Sequence, residues 1–515
     1  MWRWIVRGIA ALWALAPMAE ADWPQWRGPT GTGAAGPSPR LLTAIDAKGP
    51  KVIWESEPLP SGDAGGYSSP TVAGGRVFAY VCWRYDVPLP TRMVMAKELG
   101  QLGAYAPDAP AQLLAKIEAA RVAPERASLK GDDLRAWTEK WIAANLTEEQ
   151  KKAFGALAAD RINRGANAFG LDLLGKLHGV RDKAMSPADF EAWLTANGFD
   201  GKAREAVVRI VPTATPHVRD VVICLDGATG KTLWKKEYSG SPHGGRGMSC
   251  TPLVRDGRCY FSGWSGSLYC LDSQTGQELW QVAGGKPTHS SPVLVAGKIV
   301  TFSGTLMAFD AATGRKLWET KAGGGHGSPA VWTAQGKDHV IVNGKDAACV
   351  DPADGKVLWK APGGGDSTPV ASGNTLAILT SARGAAGGLL VYRIGPDKVE
   401  QVACIDMGAR GCSPIVADGR VYALGEGQAV CVAANDGKVH WQTTIAKESW
   451  SSPILADGRI IATLGRSVWL LDAGNGNVLA KAPIDLANCT SPAFSGGRLY
   501  VRGSKALVCY ELAAN

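Results

Sequence analysis

After residue 21 the chain has no apolar run long enough to cross a bilayer, so no transmembrane anchor is expected. Long runs of one charge are missing too. The 55 basic and 47 acidic residues are spread along the chain, and a net charge of +8 so distributed reads as a solvated surface rather than a nucleic-acid footprint. There is no G-x-S-x-G, so no nucleophile elbow is expected, no H-E-x-x-H to seat a catalytic zinc, and no C-x-x-C-H to attach haem. Histidine is scarce, with 7 in 515 residues, so each one is worth locating.

What the chain has in excess is glycine (64) and tryptophan (19), a composition that suits many tight turns with one bulky anchor per unit. The anchor recurs in a pattern. CLDGATGKTLW (224–234), CLDSQTGQELW (270–280), AFDAATGRKLW (308–318) and CVDPADGKVLW (349–359) are copies of one phrase. CVAANDGKVHW (431–441) and LLDAGNGNVLA (470–480) are weaker ones, the last with Ala480 in the tryptophan position. An alternating run, a D-x-x-x-G turn and a second run ending in Trp spell a β-hairpin, with Gly at the turn position of positive φ.

A second marker, an S/T-P dipeptide, opens each repeat at Pro70, Pro252, Pro292, Pro329, Pro369, Pro414, Pro453 and Pro492. From Pro252 onward the steps are 40, 37, 40, 45, 39 and 39 residues, and about 40 residues make one four-stranded propeller blade. Eight markers predict eight blades, each with strands A to D. Blade five lacks the signature, and its strand D is expected at VEQVACI (399–405). KVIWESEPL (51–59) matches only the second half of a repeat, and residues 491–512 lack that half. The N-terminal strand should therefore complete blade eight and close the ring, which removes exposed sheet edges.

The fold class expected is all-β, an eight-bladed β-propeller of four-stranded antiparallel blades with an α-helical insertion in the B–C loop of blade one. The insertion accounts for the 182 residues between Pro70 and Pro252, where strand B (76–84) is not followed by strand C until 220–226. Apolar periodicity and the helix starts at Thr147 and Ser186 predict five or six helices between about 92 and 208. B–C and D–A connections of a propeller share a face, so this insertion is expected on the side where the D–A loops ring the channel. The domains expected are residues 1–21, a signal peptide; 22–50, an extended arm in which Trp23 and Trp26 dock on the body; 51–84 and 218–515, the propeller; and 85–217, the insertion. Arg3, Arg7, an apolar run and Ala19-Glu20-Ala21 predict export with cleavage after Ala21, to the periplasm or beyond. Of the 11 cysteines, Cys224, Cys270, Cys349, Cys431 and Cys509 recur at one repeat position, too far apart to bridge, and read as small buried hydrophobes. The other six have room for a disulfide or two.

The unit SSPVLVAGKIVTFSGTLMAFDAATGRKLW (290–318) resembles the pyrroloquinoline-quinone-type (PQQ-like) propeller repeat. It is similar to the BamB-type propellers of outer-membrane assembly and to the blades of quinoprotein alcohol dehydrogenases, and DWPQWRGP (22–29) resembles the opening of exported PQQ-like propellers of planctomycetes. The resemblance implies that each strand-D Trp packs on the neighbouring blade's turn glycine, a role for Trp54, Trp234, Trp280, Trp318, Trp359 and Trp441. It also implies, for the enzymes of the group, adjacent cysteines beside the quinone and a calcium set. No Cys-Cys pair occurs here, and the calcium ligands have no recognisable motif.

The position three residues before each marker proline faces the channel mouth and holds Tyr67, Ser249, His289, His326, Asp366, Gly411, Trp450 and Cys489. A polar binding site is expected from His289, His326 and Asp366, ringed by Tyr67, Trp450, Arg246 and Arg410. His, His and carboxylate also form a weak candidate set for a divalent metal. The first functional reading is an exported, monomeric, non-catalytic scaffold that binds an envelope protein or peptide, or a ligand, through the loop face and the insertion, with no cofactor. The second is an oxidoreductase using PQQ with Ca²⁺ or a metal at the channel mouth under the insertion. A third, a carbohydrate binder, rests on Trp450 and Tyr67 alone.

Overall fold

The computed structural model describes residues 22–242, 247–283, 285–381, 387–409, 411–447, 450–487 and 489–514. The leader expected at 1–21 lies outside them. By internal contacts the chain divides into two units: one holds the chain up to Tyr85 and from His217 onward, the other is Asp86–Pro216.

The first unit contains eight four-stranded sheets, and blade one carries a short fifth strand, Ser241–Pro242. The blades follow the marker count. Blade two, for example, is Leu253–Arg255, Arg258–Ser262, Ser267–Asp272 and Glu278–Ala283, all antiparallel. In blade five strand D is Lys398–Ile405. Val52–Glu55 pairs with Leu507–Glu511, so the N-terminal strand is the outermost strand of blade eight and the ring closes. Strands B and C of blade one, Arg76–Pro88 and Ala214–Asp226, run longer than the repeat required.

Each D-x-x-x-G turn is built by its aspartate. Asp226 Oδ1 accepts from the amides of Ala228 and Thr229 and from Thr229 Oγ1 at 3.1, 2.8 and 2.8 Å. The Thr229 bonds hold that carboxyl below its usual pKa. Strand D carries a bulge opposite strand C in every blade. Beside it the tryptophan turns onto the next blade, and its indole N–H donates to a turn carbonyl there. Trp54 reaches Gly227, Trp234 Ser273, Trp280 Ala311, Trp318 Pro352, Trp359 Gly395 and Trp441 Ala473, at 2.9–3.2 Å. The ring also covers the turn glycine. A Cβ on Gly230 would stand 2.4 Å from Trp54, and its φ of +72° already favours glycine. These tryptophans are structural, joining blades at the rim.

At the hub a second set of bonds joins the blades, and it explains the S/T-P marker. The backbone N–H of each marker Ser or Thr donates to the marker hydroxyl of the next blade: Ser69 to Thr251, Thr251 to Ser291, Ser291 to Ser328, Ser328 to Thr368, Thr368 to Ser413, Ser413 to Ser452, Ser452 to Ser491, and Ser491 back to Ser69, at 2.9–3.3 Å. The chain of eight bonds is closed. Proline follows because at that inner strand start it has no N–H to leave unpaired.

The N-terminal arm is more than an ornament on the surface. Trp23 pairs with Val72 of blade one, Val254 of blade two donates to the Pro24 carbonyl, and Ala35 and Gly33 bond Leu455 of blade seven. Between them Arg27, 2 % exposed, donates to the carbonyls of Pro453 and Pro414 at 2.6 Å each. The arm thus crosses the channel and pairs inner strand edges that would otherwise lack partners.

The second unit holds eight α-helices among the described residues rather than five or six: α1 (Ala96–Leu102), α2 (Ala111–Arg121), α3 (Pro124–Ala127), α4 (Gly131–Asn145), α5 (Glu148–Arg164), α6 (Leu171–Gly179), α7 (Pro187–Ala196) and α8 (Gly201–Ile210). The short α1 and α3 carry too few apolar positions to show a period. Thr147 forms a full capping box with Gln150, whereas Ser186 accepts from the Asp189 amide and donates to the Asp189 carboxylate. Two small cores result. One gathers Leu99, Leu174, Phe190, Leu194 and Val207; the other gathers Leu113, Ile117, Leu146 and Leu157. The disulfides allowed for are absent at Cys82, Cys250, Cys259 and Cys412, which are buried free thiols like the five repeat cysteines.

Ser413→Ala leaves the buried Thr368 amide without an acceptor and is expected to cost about 1–3 kcal/mol, while Ser413→Thr, the chemistry already present at two hub positions, stays near wild type. Arg27→Ala orphans two buried carbonyls and is expected to cost about 2–4 kcal/mol. Thermal unfolding of the three variants checks both.

Candidate functional site

All eight positions three residues before the marker prolines line one cavity of about 580 Å³ at the hub: Tyr67, Ser249, His289, His326, Asp366, Gly411, Trp450 and Cys489. Their D–A loops descend to the hydroxyl ring, and Ser69, Ser291, Ser328 and Thr368 of that ring form the next layer of the lining. Trp26 of the arm closes the cavity from within the channel, its indole N–H donating to Thr368 Oγ1 at 2.9 Å. The space is therefore a cup rather than a pore. Arg246 and Arg410 lie outside the described residues.

Buried polar groups hold the loops in place. The Arg502 guanidinium, fully buried in blade eight, donates to the carbonyls of Pro60, Gly65, Ser68 and Tyr80 and to Ser61 Oγ. It fixes the loop that presents Asp63 and Tyr67, whose hydroxyl donates to Asp63 Oδ1 at 3.0 Å. Asn343 pins the loop carrying Asp366 through Gly364 and the Ser367 carbonyl, at 2.9–3.0 Å. Glycine then permits close approach: a Cβ on Gly411 would stand 3.2 Å from the Trp450 ring.

The polar residues form a line. Ser249 Oγ and His289 Nδ1 share a hydrogen bond at 2.8 Å, the His289 and His326 rings lie 4.3 Å apart between centroids, and His326 Nδ1 stands 3.5 Å from Asp366 Oδ2. The His326 amide also donates to Asp366 Oδ1 at 3.1 Å. The two histidines are driven apart in basicity. Burial, aided by the His326 charge, lowers His289 to about 4. The bond to Asp366 raises His326 above its usual value, and the same bond lowers Asp366. Near neutral pH the line reads as neutral imidazole, then a carboxylate-paired imidazole.

His289 bonds a serine and His326 bonds Asp366, and among the described residues no group of three or more His, Cys, Asp or Glu side chains is placed to hold a metal ion. Among the described residues the cup has no cationic partner for pyrroloquinoline quinone. The quinone carries three carboxylates, and the described lining offers Asp63 and Asp366 with no lysine or arginine to pair with them. No step is derived through it.

A second cavity of about 490 Å³ adjoins the cup. It shares Trp450 and Cys489 as a wall and is lined further by Ser61, Thr463, Arg466 and Ser504. Sequence reasoning reached the eight loop positions through their register with the prolines. It had Trp26 only as a residue that docks the arm, and it missed Asp63 and the hydroxyl layer. The hydroxyls were in view as a counting mark, and only the closed ring shows what they do.

Fold and site together define a closed eight-bladed propeller with a cup at its hub. A family model described as "Outer membrane protein assembly factor BamB" matches residues 218–408 and 391–513, over half the chain, and the chain belongs to this PQQ-like, BamB-type propeller family. No curated protein matches it. Among solved structures, BamB from Moraxella catarrhalis is 16% identical over 57% of this chain and 89% of that one, with a TM-score of 0.47. Quinohemoprotein alcohol dehydrogenase ADHIIG from Pseudomonas putida HK5 is 13% identical over 59% and 74%, with a TM-score of 0.44. The corresponding enzyme from Comamonas testosteroni is 14% identical over 57% and 72%, with a TM-score of 0.38. Likenesses this distant carry no argument about this chain.

The histidine pair is open to titration. By NMR, His289 should titrate near 4 and His326 above the ordinary value of about 6.5, and Asp366→Asn should bring His326 down. The signs for stability are opposite. The His326 contribution is present below its unfolded pKa and fades as pH rises through the raised folded value. The His289 contribution is present above its unfolded pKa and fades as pH falls toward about 4.

Proposed function

We propose that this protein is a binding propeller of the cell envelope whose hub cup takes a small polar ligand, without catalysing a reaction. One observation carries the reading: every D–A position of the ring contributes to a single ligand-sized cup, and the chain's own arm closes its floor. A channel kept only for ring closure has no need of a floor, nor of three aromatic side chains and a line of polar groups above it. The small residues Gly411 and Ser249 keep the cup open, and the Arg502 and Asn343 clamps hold it rigid before a ligand arrives, which lowers the entropy lost on binding. The family match supports an envelope setting, and the leader-like residues 1–21 agree with it; the periplasm or the cell exterior is the location this reading implies.

The purified protein, screened by thermal shift against amines, carboxylates, polyols and PQQ with Ca²⁺, is expected to be stabilised by one polar class. Asp366→Ala should weaken that ligand about tenfold or more, as the loss of a charge-assisted hydrogen bond does. Stabilisation by PQQ with Ca²⁺ alone, or no ligand-dependent shift in any class, would overturn the reading.

A further inference from the structure

The lining of the two cavities specifies the ligand further. The hydroxyls of Ser69, Ser291 and Ser328 each accept one backbone N–H of the hub ring, and Thr368 accepts two donors. Among the described residues none of these four hydroxyls donates a hydrogen bond. Each keeps its own proton for the cup, so one layer of the lining is a bank of donors. Acceptors stand above it in Asp63 and Asp366, and His289, held neutral by burial, adds a ring nitrogen that donates or accepts according to its tautomer. Asp366 is paired with His326, Asp63 adds a second carboxylate, and the described lining has no lysine or arginine, so the cup offers nothing to pair with an anionic ligand. Its remaining surface is aromatic, from Trp26, Tyr67 and Trp450. Donors and acceptors in one small space, with ring faces between them, suit a neutral molecule that carries many hydroxyls and an apolar C–H face.

The site is also longer than one cup. Trp450 belongs to the walls of both cavities, and the second is again rich in hydroxyls, from Ser61, Thr463 and Ser504. Ser61 accepts from Arg502 and so keeps its own proton to give. Thr463 is bonded to Ser451 at 2.6 Å and Ser504 to Asp485 at 3.1 Å. We infer that the cup and the second cavity form one extended site for a neutral oligosaccharide, with Trp450 as the platform on which a sugar stacks between two subsites. The inference rests on the reading of the cup as a ligand site and adds the ligand's class and length.

The test is a glycan array spanning hexose, N-acetylhexosamine and uronic-acid backbones, followed by calorimetry of each hit as a disaccharide and a tetrasaccharide. A neutral tetrasaccharide should bind about tenfold or more tighter than its disaccharide. Trp450→Ala should remove that advantage while Trp450→Phe keeps most of it, and Thr463→Val with Ser504→Ala should weaken the tetrasaccharide and spare the disaccharide. An empty array, capture of uronic-acid chains only, or binding indifferent to Trp450 overturns the inference. An empty array beside a non-saccharide ligand that depends on Asp366 overturns it while the binding cup stands. An empty array with no ligand in the thermal-shift screen overturns both.

Discussion

Eight backbone amides, each given to the hydroxyl of the next blade, form a closed circle at the hub, and the rest of the molecule is arranged around it. Each bond alone contributes about 1 kcal/mol net. Closure changes their meaning, because among the described residues no amide in the circle has another partner and the loss of one hydroxyl strands a buried donor. The circle also sets how far apart the blade starts stand. From that follow the width of the channel, the spacing of the D–A loops and the size of the cup they line.

The blades are thus joined twice by different chemistry. At the hub the bonds are polar and identical all the way round. At the rim six blades place a tryptophan over the next turn, and its indole N–H is satisfied by that turn's carbonyl. Blades five and seven have Ala403 and Ala480 in strand D instead. At the first of these an added Cβ on Gly437 would stand 2.1 Å from Ala403, so the neighbouring turn has moved in where the ring is missing. The rim tolerates such gaps because each tryptophan acts locally. The hub circle has none.

The N-terminal segment serves the fold in two places. Val52–Glu55 finishes blade eight, and upstream the arm runs through the channel with Arg27 buried between blades six and seven. A propeller channel is lined by the inner edges of its first strands, whose backbone groups have no sheet partner. Strand pairing with the arm satisfies several of them, at Val72, Val254 and Leu455. The same passage brings Trp26 under the cup and converts an open channel into a floored cavity.

Local, periodic features were legible from the residues alone. The number of blades, the closing strand, the turn glycines and the eight loop positions at the mouth all repeat in register, so each copy checks the others. What did not repeat was not legible. Trp26 and Arg27 occur once, in a stretch without secondary-structure period, and their partners are 342 and 426 residues away in sequence. Asn343 and Arg502, which hold the loops of the cup, carry no mark that separates them from other polar residues at or just past the end of a strand. The short helices of the insertion escaped for a related reason, since four or seven residues do not establish a helical period. The pairing of His326 with Asp366 follows from the meeting of adjacent loops, which no spacing in the sequence shows. The sequence by itself determined the repeated unit and the order in which units follow one another, because spacing along a chain is already a physical constraint on hairpins. Only the tertiary structure decided which groups meet across the channel, because those meetings depend on closing the ring and threading one unrepeated arm through it.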